Sequence, residues 1–100
     1  MKEGVATGAD GVSLNYATSE YQEGKPWMAL IIPFSMRVSV ARPFFDFFQP
    51  QYNVVSWESR LILSDAEEPA PEGAFELSRH VKDFDTVLTA CNIKKCVVVG

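Results

Sequence analysis

One histidine and two cysteines are all that this 100-residue chain offers as soft metal ligands. Cys91, Cys96 and His80 do not fall at zinc-ligand spacing, and no fourth ligand accompanies them. Two cysteines are also too few for a disulfide scaffold. No basic cluster or stripe is present: 9 Lys and Arg stand against 13 Asp and Glu, a net charge of -4 with a pI near 4.8. A nucleic-acid-binding role therefore has no electrostatic footprint. The longest apolar run, Trp27 to Phe34, is much too short to span a bilayer, which takes about 20 residues. Met1 to Asp10 lacks the apolar core of a secretory leader. No glycine-rich phosphate loop follows either early strand, which speaks against a nucleotide binder. No internal repeat is visible, and only the short EEPAPEG run is of low complexity.

What is present suits a folded domain. The apolar fraction of 47% and charged fraction of 22% are those of a soluble globular protein. The length fits one small domain or part of a larger one, here residues 1 to 100, with 1 to 10 read as loop. Cys91 and Cys96 read as buried thiols, which points to a reduced, cytoplasmic setting.

The chain is organised around its end. Lys94 to Gly100 contains a continuous apolar run, Cys96-Val97-Val98-Val99, which predicts a parallel strand covered on both faces. Before it, Glu76 to Ile93 reads as an amphipathic helix. Leu77, Val81, Phe84, Leu88 and Cys91 form its apolar stripe, while Arg79, Lys82, Asp83, Asp85 and Thr89 lie off it. A helix that delivers the chain to a continuous apolar strand is the second half of a βαβ crossover.

Earlier elements follow the same logic. Gly11 to Glu20 alternates and predicts a strand with one wet face near a sheet edge. Trp27 to Phe34 predicts a central strand, with Pro33 at its end where a missing donor does little harm. Ser35 to Val40 is a loop, and Val40 to Phe48 a short helix with Pro43 in its first turn. Tyr52 to Trp57 predicts a further strand. Leu61 to Ala74, with Asp65, Glu67, Glu68, Pro69, Pro71 and Gly73, reads as an acidic, solvated loop rather than a calcium site. The expected fold class is α/β, a mostly parallel sheet with crossover helices, in which WMALIIPF lies between YNVVSW and KCVVV.

The stretch FELSRHVKDFDTVLTACNIKKCVVVG resembles the helix and strand that precede the nucleophile elbow of the α/β-hydrolase superfamily. There the strand runs into Gly-x-Ser-x-Gly, with the serine on a strained turn. The resemblance covers roughly Gly11 to Gly100, the N-terminal half of such a fold, and places Gly100 at the first glycine of that motif. Two segments depart from the family pattern. Pro33-Phe34 stands where His-Gly is common, and Trp57-Glu58-Ser59-Arg60 stands where an Asp-x-x-Gly pattern is expected.

The resemblance implies a serine-type enzyme that hydrolyses or transfers an acyl group of an ester or thioester. Its nucleophile, acid and base would lie beyond residue 100. No cofactor is implied, and the partners are a small-molecule acyl substrate and the remainder of the hydrolase domain. The loop after WMALIIPF would supply a backbone N–H to the oxyanion hole, from Ser35 or Met36. Arg37 and Phe34 in that loop are candidates for substrate binding, although an arginine there also suits a solvated loop or a pairing with the acidic segment. His80 precedes the elbow in the chain, which is the wrong order for a triad histidine. Cys96, inside an apolar strand without a histidine beside it, is not activated as a nucleophile. Phe44, Phe45, Phe47 and Phe48 suit core more readily than an acyl pocket. The rival reading is a truncated, non-catalytic binding or regulatory module. Its open VVVG edge would favour self-association.

Overall fold

The computed structural model describes residues 1–33, 36–60 and 77–100, with the side chains of all of these except Leu77 and Arg79. Among them, five strands form one sheet in the order β1-β2-β4-β3-β5. They are β1 (Lys2–Thr7), β2 (Ser13–Thr18), β3 (Trp27–Leu30), β4 (Asn53–Trp57) and β5 (Cys96–Val99). Helix α1 spans Arg42–Phe48, preceded by a 3-10 turn at Val38–Ala41, and α2 spans Leu77–Ala90. No described helix is long and apolar enough to cross a membrane.

The central order agrees with the sequence. β3 pairs in parallel with β4 on one side and with β5 on the other. Alternate residues of β3 serve the two faces. Met28, Leu30 and the following Ile32 join Val54, Val38, Ala41 and Phe45 in one core. Ala29 joins Leu14, Val55, Val87 and Ile93 in the other. The 3-10 turn and α1 therefore cover one face and α2 the opposite face. This is why β3 reads as an unbroken apolar run.

The sheet as a whole is mixed rather than mostly parallel, because β1 and β2 pair antiparallel with each other and β2 pairs antiparallel with β4. Residues 1–10 are also not simply a loop. β1 is hidden from periodicity because Ala6 is its sole buried residue; backbone ladders to β2 hold it in place. A hairpin needs no crossover, and Gly11 at φ 85° supplies the left-handed residue of its turn. In β1, Gly4 lies opposite Tyr16, and a Cβ there would come within 2.6 Å of the tyrosine ring.

Four further expectations are corrected. The buried face of α2 is centred on Asp83 and Val87, while Val81, placed on the apolar stripe by spacing, is 61% exposed. Phe84, Leu88 and Cys91 flank that face and are partly buried. β5 is not covered on both faces: Val97 and Val98 are 50% and 56% exposed. It has β3 on one edge, and no described strand pairs with the other. Cys91 and Cys96 are both free thiols, half-buried rather than buried. Helix α2 ends at Ala90 rather than Ile93 because Asn92 takes up φ 56° and the Ile93 N–H returns to the Leu88 carbonyl at 2.9 Å.

Candidate active-site rim at the carboxyl ends of the strands

Parallel strands with helices on both faces leave a crevice at their carboxyl ends where successive connections run in opposite directions. Here the connection after β3 leads to β4, and the one after β4 passes back over β3 to β5. The crevice falls at the carboxyl end of β3.

Three segments meet there. After β3, the Ile31 N–H donates to the Val99 carbonyl at 2.7 Å, which ties the exit of β3 to the end of β5. Gly100 follows, so close that a Cβ on it would lie 3.5 Å from Ile31 Cβ. The glycine assigned to the elbow is thus a neighbour of Ile31 at the exit of β3. The third segment is Glu58-Ser59-Arg60, directly after β4. All three of these residues are buried, although nothing in their residue types signals it.

Glu58 and Arg60 are the rim residues that sequence reasoning missed. The Glu58 carboxylate accepts from the Val38 N–H (3.0 Å), from Asn15 Nδ2 (3.1 Å) and from Arg37 Nη1 (3.3 Å). Its own N–H donates to the Asn15 carbonyl at 2.8 Å. Arg60 is 1% exposed and donates through Nε to Asp83 Oδ2 (2.7 Å) and through Nη2 to Asp83 Oδ1 and Asp10 Oδ2 (2.9 Å). Hydrogen bonding to Asp83 is the largest influence on that guanidinium and, with Asp10, holds its pKa above the usual arginine range despite burial. Asp83, off the predicted stripe by charge, is buried because this cation receives it. The available signal was weak: a charged pair spaced two apart right after an apolar strand.

The other predicted residues divide. Phe34 and Ser35 lie outside the described residues, as do the acidic segment with Asp65, Glu67 and Glu68 and the start expected for the last helix at Glu76. The Met36 N–H donates to the Pro33 carbonyl at 2.9 Å, and the Met36 side chain packs on the α1-side core. Arg37 pairs with Glu58 while 57% of its side chain stays exposed. His80 is on α2 and lines a cavity of about 260 Å³ together with Ile31, Ile32, Trp57, Ser59 and Phe84. The Trp57 and Phe84 rings meet edge to face at 5.0 Å and form its floor. Of the four phenylalanines of α1, Phe45 is core, Phe48 is partly buried, and Phe44 and Phe47 are 47% and 76% exposed.

No protein-family model and no curated protein matches this sequence. Solved structures do match its shape. A hydrolase from Pseudomonas aeruginosa superposes with a TM-score of 0.77 at 19% identity, over 96% of this chain and 35% of that one. An enol-lactonase from Burkholderia xenovorans gives 0.75 at 18% identity, over 95% and 35% of the two chains. A protein proposed to be an aryl esterase, from Burkholderia cenocepacia, gives 0.71 at 20% identity, over 99% and 36%. The chain has an α/β-hydrolase fold. It spans about a third of the length of these α/β hydrolases, and corresponds to the N-terminal part of that fold.

Proposed function

We propose that this chain is the N-terminal part of a serine-type α/β-hydrolase-fold enzyme acting on an ester or thioester bond by hydrolysis or acyl transfer. The observation that carries this reading is the adjacency of Gly100 to Ile31 at the crevice, with the post-β3 segment beside it. A serine two positions after Gly100 would stand over the carboxyl end of β3. It would attack the acyl carbon while a histidine further along takes its proton. A backbone N–H of the Ser35–Met36 segment would hold the oxyanion. Because the Met36 N–H already donates to Pro33, the role falls on Ser35 unless that bond opens. Arg37, with most of its donors uncommitted, suits an acidic group on the substrate, and Phe34 a wall of the acyl site. The enol-lactonase among the structural neighbours supports cleavage of a carbon–oxygen acyl bond. We place the enzyme in the cytoplasm, where its two unpaired cysteines stay reduced.

The exposed Val97 and Val98 favour a second reading, a non-catalytic module that binds or self-associates through β5. The coding sequence after Gly100 separates the two. The full-length protein carrying this chain should label with a fluorophosphonate at the residue two positions after Gly100 and turn over p-nitrophenyl esters. A protein that takes no label and cleaves no ester or thioester would end the catalytic reading.

A further inference from the structure

We propose that Glu58 is a positioning residue that anchors the Arg37–Val38 start of the 3-10 turn, where the chain returns to the core after β3. This inference rests on the reading above for its link to catalysis, but its structural part stands alone. Five residues separate Ile32 from Val38, and both of these are buried in the α1-side core. The first end of the segment is held by the Ile31 N–H bond to Val99. The second end has no side-chain cap: the 3-10 turn begins at Arg37 without a capping hydrogen bond from that residue. Glu58 takes that place from another strand. One carboxylate oxygen accepts the Val38 N–H and the other accepts Asn15 and Arg37. Asn15 is in β2 and Glu58 follows β4, so the anchor is fixed to the sheet at two points. A buried carboxylate reaching a backbone N–H at the start of a helical turn satisfies a donor that would otherwise be stranded.

Geometry, rather than charge alone, does the anchoring. Shortening the side chain by one methylene keeps the charge but cannot reach Val38 and Asn15 together. An amide keeps the reach and an acceptor but loses the attraction for Arg37.

The test is made in the full-length protein with E58D, E58Q, E58A and R37A. Amide hydrogen exchange by mass spectrometry reads the segment directly. Exchange at 33–40 should rise about tenfold in E58D and E58A, less in E58Q, with β3 and α2 peptides unchanged. With a p-nitrophenyl ester, kcat should fall about tenfold to a hundredfold in E58D and E58A while KM stays within about twofold, since a shift near 1 Å in a catalytic group costs on the order of a hundredfold. E58Q should retain more kcat than E58D, and exchange at 33–40 should rise less in R37A than in E58D. If E58A does not fold, E58D and E58Q together still separate anchoring by reach from anchoring by charge. Unchanged exchange at 33–40 in E58D, or an E58D enzyme faster than E58Q, would overturn the proposal. A parent that cleaves no ester ends the acyl-transfer reading by itself, and the exchange comparison still decides whether Glu58 holds the segment.

Discussion

The two ends of the parallel strands are built on opposite principles. At the amino ends, Asn53 is fully buried and spends its whole amide inside the protein. It accepts from the Gln22 N–H at 2.7 Å and donates to the carbonyls of Gln22 (3.0 Å) and Lys25 (2.9 Å). Gln22 Nε2 and Lys25 Nζ then reach the carbonyls of Gln49 and Pro50, closing α1 onto the same turn. At the carboxyl ends, polar groups share the rim with an open apolar cavity, a bare glycine and a half-exposed arginine. At the first end the buried amide is satisfied from within the protein; at the second an apolar cavity and an exposed arginine stay open to solvent. Strand direction alone assigns the roles, because the crossover helices open the crevice at the carboxyl side.

Substitutions at each end should separate stability from activity. The largest effect is expected from Arg60→Ala, which strands Asp83 and, in part, Asp10; a loss of about 3–5 kcal/mol in urea unfolding is predicted. If Arg60→Met proves as stable as the parent, the ion cluster contributes nothing net. Next, Asn53→Ala leaves the Gln22 N–H and the Lys25 carbonyl without the partners they have now and should cost about 2–3 kcal/mol. It should leave kcat within about twofold, in contrast to Glu58 variants; a matching fall in kcat would erase the distinction between the ends. Gly4→Ala should cost about 1 kcal/mol by displacing the Tyr16 ring, read as a shifted unfolding midpoint.

The smallest effect is alkaline. Burial raises the Cys91 thiol above its ordinary 9.0, against the pull of Tyr16, and burial likewise raises Tyr16 above 10.0. Both groups resist ionisation more when folded than when unfolded. The stability they contribute is therefore complete below pH 9 and is lost as pH climbs through the raised values. Comparing urea midpoints at about pH 8 and about pH 10.5 checks this, and Cys91→Ser should flatten part of the decline.

Much of this architecture was legible because β3 and β4 are buried on both faces and carry no alternation to mislead. The hidden parts share one cause, that partners far along the chain decide them. Lys2 to Thr7 becomes a strand only because β2 offers its edge. Asp83 turns inward only because Arg60, 23 residues earlier, is waiting. Glu58 looked like a departure from a glycine-bearing pattern, whereas the fold uses its carboxylate to reach Val38 20 residues back. Gly100 was assigned its place through resemblance to a known fold, and the structure sets it beside Ile31 at the exit of β3.

The central place of β3 also sets an order in time. One of its edges receives β4, but the other waits for β5, roughly 65 residues later, about 3–13 s at an ordinary pace of synthesis. During that interval an apolar strand leaves the ribosome with an unfilled side, the condition under which nascent chains stick to one another. Pro26 precedes β3 and Pro33 follows it by three residues, and neither can donate a hydrogen bond to a foreign strand. Lys25 adds a charge at the same border. These flanks act as gatekeepers, limiting how far any wrong pairing can extend before the rightful neighbour is made.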